Sequence, residues 1–336
     1  MYLNLLQFSG LVYLPLAIGA ALRHWGMLRR DYSGRIMTAT WLTLEPIAAL
    51  IIFWSLDLKQ IASVVSAPVL GALWMLAMLV PAAVAARMLK LSHVQRGNFL
   101  LAAVFSNNGI TLGAFICLVF LGINGQAMGQ VFVLSFMPLL LTVGFGIGRR
   151  SIHLAASERP ASDAASATAA CKPAGHPDSD APPLGLIRTV PYVAMAIGLV
   201  LNLAGARRPG FALHVNRGVV FLDVAIYSFA IGTLFTLRSV RRYLRECLAM
   251  SALKFVVSPA VGLLLFFAAS RVLDLNPVLL KVMIVQCAMP VAIMSVVVSR
   301  FCRMDTELAA ACWVFTTLAV AGLVPVLAYI VENVPG

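Results

Sequence analysis

The chain has 336 residues; 61% come from the set AVILMFWYC, only 11% are charged, and mean hydropathy is +0.93. A soluble surface needs about 25% charged residues, so a water-soluble enzyme is excluded. The net charge of +12 does not indicate nucleic acid, because the basic residues lie between apolar blocks, as they do in cytoplasmic loops of membrane proteins.

A helix needs about 20 apolar residues to cross a bilayer. In chain order ten such runs occur, near residues 3–22, 36–56, 67–88, 97–121, 127–147, 190–206, 219–237, 247–270, 276–299 and 308–331. The first lacks the basic start and cleavage site of a signal peptide and counts as a helix. Between the fifth and sixth runs, Ala156 to Pro183 is rich in Ala, Ser, Pro and Asp without apolar periodicity. It reads as a disordered linker. The chain thus divides into a first five-helix repeat (1–148), a linker (149–189) and a second five-helix repeat (190–336).

Loops after odd-numbered spans carry 18 Lys and Arg; loops after even-numbered spans carry 5. This bias puts the odd loops and the linker in the cytoplasm and both termini outside. Five is odd, so the second half enters the membrane with opposite polarity, which is the arithmetic of an inverted repeat. The expected fold is an all-α polytopic membrane protein of ten transmembrane helices, a 5+5 inverted repeat with helices 4 and 9 broken.

Landmarks recur at matching places in the halves. Ser106-Asn107-Asn108-Gly109 interrupts span 4, and Ala288-Met289-Pro290 interrupts span 9. Pro81 of span 3 matches Pro259 of span 8, and Glu45-Pro46 of span 2 matches Asp223 of span 7. Proline breaks a helix by losing its N–H and clashing with the preceding turn, and Asn and Gly are poor helix interiors. In lipid such breaks are tolerated only inside protein or beside a water-filled cavity. Two breaks meeting at mid-membrane would offer half-helix N-termini to an anion. Asn107, Asn108, Gly109, Met289 and Pro290 are therefore candidate substrate-binding residues.

Glu45 lies near the middle of span 2, where a charge costs about 2.5–3.5 kcal/mol, so it faces the protein interior as a proton carrier or a hydrogen-bonded structural acid. Asp223, early in span 7, could pair with Arg217. Lys254 in span 8 reads as snorkelling to the cytoplasmic edge, with contact to an anionic substrate as the alternative. These three are the candidates for proton or ion coupling. Gly109-x-x-x-Gly113 and Gly144-x-x-x-Gly148 suit close helix packing. The five tryptophans fall mostly near predicted span ends, as interfacial anchors do. No two cysteines have CxxC spacing, no HExxH occurs, and the histidines fall in connecting segments. No metal site or cofactor is expected.

These residues resemble the auxin efflux carrier family, which includes bacterial permeases for malonate or malate. The resemblance rests on Leu14-Pro15-Leu16-Ala17-Ile18-Gly19 with the basic exit Leu22 to Leu28, on Pro46, and on Asn107-Asn108-Gly109. It continues through Gln286-Cys287-Ala288-Met289-Pro290, Val298-Ser299-Arg300-Phe301 and Asp305-Thr306-Glu307-Leu308-Ala309. Glu45 departs from that family's Leu-Pro pair. The resemblance implies crossed helices 4 and 9, adds Gln286 to the substrate site, and implies a scaffold of helices 1, 2, 6 and 7. Helices 3–5 and 8–10 would form a transport domain moving as an elevator. Sodium–bile acid symporters share this architecture; the lack of an acidic cluster in spans 4 or 9 favours the first family.

The expected function is secondary active transport of a small organic anion, such as a carboxylate, in a bacterial inner membrane, with no enzyme activity and no nucleic acid. Proton or sodium coupling and a homodimer are left open. No Walker A motif is present. The alternatives are a sodium-coupled, bile-acid-symporter-like organic anion transporter and a non-transporting sensor of the same fold.

Overall fold

The computed structural model describes residues 2–27, 31–56, 61–109, 112–157, 184–234 and 237–334. The expected linker lies outside the described residues from 158 to 183, as do Arg29, Arg30, Lys59, Arg159 and Lys172 of the charge bias. Its two ends, taken above as linker, are helical: one helix runs to Ser157 and the next starts at Leu184.

Among the described residues all named elements are helices. The first half holds α1 (Tyr2–His24), α2 (Asp31–Trp54), α3 (Ile61–Ala77), α4 (Leu79–Met88), α5 (His93–Val104), α6 (Gly113–Phe132), α7 (Phe136–Leu139), a π-helical turn (Leu140–Gly144) and α8 (Phe145–Ser157). The second holds α9 (Leu184–Leu203), α10 (Ala212–Leu234), α11 (Leu237–Arg242), α12 (Leu244–Ala252), a π-helical turn (Leu253–Val257), α13 (Ser258–Ala269), α14 (Pro277–Cys287), α15 (Ile293–Phe301) and α16 (Thr306–Asn333).

Local chemistry sets several ends. Ser92 and Gln95 form a capping box at the start of α5. Asn276 caps α14 ahead of Pro277, and Asp305 caps α16 by accepting from the Leu308 N–H at 3.2 Å. Inside α6 the chain kinks at Gly122, whose φ of +69° needs a residue without Cβ. On the polar side of α12, the Tyr243 hydroxyl donates to Asp305 Oδ2 at 2.9 Å. Burial and that bond push the Tyr243 hydroxyl up to about 12.

The helices form two groups. α1 packs on α10, α10 on α2, and α2 on α9. Asn202 ties this group at one end by donating to Phe53 O (3.0 Å) and Leu56 O (2.7 Å). Close approach comes from Gly19 and Gly232: a Cβ on either would strike backbone of the facing helix, at Phe229 O or Leu16 O. Of the expected small-residue pairs, Gly113 and Gly144 do pack closely, against Gln286 and Asn108 and against Phe105, whereas Gly109 faces open space. α3–α8 and α12–α16 make the second group, with α6 against α14, α5 against α8 and α13 against α14. Its core includes Trp74 and Trp313, both fully buried. These two are therefore core residues and not interfacial anchors; the Trp74 indole N–H binds Ser258.

Five stretches are long and apolar enough to cross a membrane: Arg35–Trp54, Val64–Met88, Gly113–Ser157, Ala212–Thr233 and Leu244–Ala269. Thr306–Val320 with Gly322–Asn333, bent by 53°, makes a sixth if it is one span. The structure is that of a multi-pass membrane protein. The expected ten spans are not confirmed: α5, α14 and α15 have 12, 11 and 9 residues, each too short for a hydrocarbon core of about 30 Å, and Thr189–Leu203 in the sixth run is also a shorter apolar helix.

Candidate functional site

The two interruptions cross and bind each other. Phe105 leaves α5 in an extended conformation (φ −96°, ψ 120°). Ser106 then forms an antiparallel bridge with Val291. The Asn107 N–H donates to Pro290 O at 2.8 Å, and the Ala292 N–H donates to Phe105 O at 3.0 Å. Pro290 has no N–H, so only its carbonyl takes part. On the far side, the Gly113 and Ala114 N–H groups donate to Asn107 O and Gly109 O. The breaks thus satisfy much of their own backbone, and fewer groups await a ligand than the sequence argument supposed.

Further oxygens at the two breaks are held from one face of the neighbouring helix. Lys254 Nζ donates to Ala103 O (2.7 Å), Phe105 O (3.3 Å) and Ser106 Oγ (2.6 Å). Four residues on, the Ser258 hydroxyl donates to Cys287 O at 2.6 Å. Lys254 and Ser258 are both fully buried. Lys254 therefore does not snorkel. Its long side chain reaches inward because helix carbonyls freed at a break attract a cation more strongly than the membrane edge does. The Ser295 hydroxyl donates to Leu101 O at 3.3 Å, and Thr316 Oγ1 accepts from the Val291 N–H at 3.2 Å.

In front of the crossover lies a cavity of about 310 Å³ between the two helix groups. Asn107, Asn108, Gly109 and Glu45 line it. Gln286, Met289 and Pro290 do not; they are buried behind it, with Gln286 Nε2 donating to Gly129 O at 3.4 Å. Asn108 is 1% exposed, and neither its Oδ1 nor its Nδ2 has a partner. Beside it begins α15, whose first turn has no side-chain cap; Ile293 and Met294 line the cavity there. The remaining wall is largely apolar and aromatic, including Trp41, Phe136, Tyr192 and Phe301. Among the described residues no Lys or Arg lines it.

Glu45 and Asp223 lie on facing helices, close enough to interact electrostatically. Glu45 Oε1 and both Asp223 oxygens are buried without partners. Asp223 does not pair with Arg217, whose guanidinium lies over the Phe221 ring, 5.3 Å from its centroid. Tyr227 adjoins the pair, and its hydroxyl donates to Met37 O at 3.2 Å.

Sequence reasoning missed Ser106, Gln130, Tyr227 and the start of α15 as wall residues. The signal for the last was available: the residues after Pro290 must begin a new half-helix. Gln130, a lone amide in an apolar run, was a second.

A sequence model of the Sodium Bile acid symporter family matches residues 220–335, the C-terminal third of the chain. No curated protein matches the chain significantly. The match overturns the resemblance to the auxin efflux carrier family. The motifs that suggested it are short, and prolines, asparagines and glycines at a break follow from breaking a helix, whichever family does so. Members of the matched family are membrane transporters, not enzymes.

Proposed function

We propose that the protein is a bile-acid-symporter-like secondary transporter of an amphipathic organic anion, held in the cavity at the crossover. One observation carries the reading. The cavity is largely apolar, yet its crossover end presents the unpartnered Asn108 amide and the uncapped N-terminus of α15. Such an end suits a carboxylate, and the rest suits an apolar body. The volume lies at the lower end of about 300–1,000 Å³ for small-molecule sites. The apolar wall, rather than the volume, favours a substrate with more apolar surface than a small dicarboxylate.

The reading includes ten spans in an inverted repeat. α5 with the first part of α6, and α14 with α15, would each be one broken span, and Gly122 would divide α6 between two spans. The group α1, α2, α9 and α10 would be the scaffold past which the rest moves as an elevator, in a bacterial inner membrane with both termini outside. The buried Glu45–Asp223 pair, which needs a positive partner in so dry a place, would take the coupling proton or sodium ion.

The test is uptake of a radiolabelled bile-acid carboxylate into proteoliposomes. Saturable uptake, competed by unlabelled substrate and exceeding that of protein-free vesicles, is expected. Saturable binding without uptake would instead make the protein a sensor.

A further inference from the structure

The crossover holds the amine of a buried lysine. Lys254 Nζ is surrounded by Ala103 O, Phe105 O and Ser106 Oγ, two main-chain carbonyls and a hydroxyl. Oxygen sets of this kind replace the hydration shell of a monovalent ion. The three oxygens match the three N–H donors of an ammonium, and a neutral amine would fill the same contacts only with the Ser106 hydroxyl as donor. Among the described residues no carboxylate forms an ion pair with it; its titratable neighbour is the Cys287 thiol. The negative counterpart is the C-terminal end of α5, where a cation is favoured. Ser258, one turn along the same face, caps the other broken helix through Cys287 O, so this one helix face holds both breaks. Lys254 also lies behind the crossover, off the cavity wall, which separates it from the substrate.

We infer that Lys254 is a resident cation, standing where a mobile monovalent ion would otherwise bind, and that the crossover assembles without any added ion. This does not depend on what the cavity transports. It follows that removing the amine while leaving its space opens a site for a small monovalent cation.

The experiment is thermal unfolding of the purified full chain, followed by tryptophan fluorescence. Choline, sodium, potassium and ammonium chlorides are compared at equal ionic strength. The wild type should unfold at the same temperature in choline, potassium and ammonium, and any sodium effect on it, as a coupling site at Glu45–Asp223 would give, should be abolished by Glu45→Gln. Lys254→Ala should unfold earlier in choline and be stabilised saturably by ammonium and by at least one alkali cation, by about 2–4 °C or more. Lys254→Met, which fills the space with a thioether, should be destabilised and not rescued. If Lys254→Ala does not survive purification in choline, it is prepared in ammonium chloride and exchanged, and loss of fold on exchange is the expected result. Stabilisation of the wild type by potassium or ammonium, sodium stabilisation that Glu45→Gln leaves intact, equal stability of Lys254→Ala in choline, potassium and ammonium, or rescue of Lys254→Met by potassium or ammonium would overturn the inference.

Discussion

Asn108→Ala separates binding from folding. The Asn108 amide offers two donors and two acceptor lone pairs, and inside the protein neither polar atom is partnered. Truncation therefore breaks no internal hydrogen bond. A buried polar group without a partner costs about 1–3 kcal/mol, so removing it should leave stability unchanged or higher. For the ligand the sign is opposite. A hydrogen bond to a charged group contributes about 1.5–3 kcal/mol, and losing it weakens affinity roughly 10–150-fold. Trp41 lines the same cavity, so its fluorescence reports a titration with a bile-acid carboxylate, with Trp41→Phe as the control that loses the signal. Unfolding temperature is measured on the same samples. Unchanged affinity, or an affinity loss accompanied by lowered stability, would refute the reasoning.

Gly232→Ala should lower stability by about 1–3 kcal/mol, as overpacking does, because its Cβ would strike the α1 backbone at Leu16 O. Gly218→Ala, in the same helix but facing open space, should raise stability by about 0.5–1 kcal/mol; thermal unfolding of the pair checks both signs. Glu45→Gln should retain ligand binding but remove the pH or sodium dependence of uptake, and retained dependence would exclude the Glu45–Asp223 pair as the coupling site. Single cysteines at Ser157 and Asn333 in a cysteine-free background should react with an impermeant reagent from the cytoplasmic and outer sides respectively. Labelling of Ser157→Cys from outside would overturn the ten-span topology.

The parts of this fold that the sequence reveals are those decided within a few residues. Pro290 and Asn107-Asn108-Gly109 are poor helix interiors, so both interruptions are legible in the residues, although proline alone does not decide it, since Pro46 and Pro191 sit inside continuous helices. Asp305 announces the start of α16 by the same local logic. Other features depend on which helix face meets which neighbour, and no local pattern states that. Lys254 in an apolar run looks like a snorkelling lysine, because its partners, Ala103 O and Phe105 O, are about 150 residues away in sequence. Gly19 and Gly232 form a close helix contact without a Gly-x-x-x-Gly spacing, whereas in Gly109-x-x-x-Gly113 only Gly113 is closely packed. Trp74 looks like an interfacial anchor until its buried partner Ser258 is seen. The same holds for the family: residues that a broken helix requires, such as Pro290 and Asn107-Asn108-Gly109, do not mark descent.

The central claim is that the organic anion occupies the cavity at the crossover. Met294, in the first turn of α15 and on the cavity wall, gives the most direct test. In a cysteine-depleted background, Met294→Cys is labelled with a thiol reagent in nanodiscs, with and without saturating bile-acid carboxylate, and Gly10→Cys at an open position serves as the control. The account predicts that the ligand slows labelling of Met294→Cys several-fold and leaves Gly10→Cys unchanged. Equal labelling of Met294→Cys with and without a ligand that demonstrably binds would contradict it.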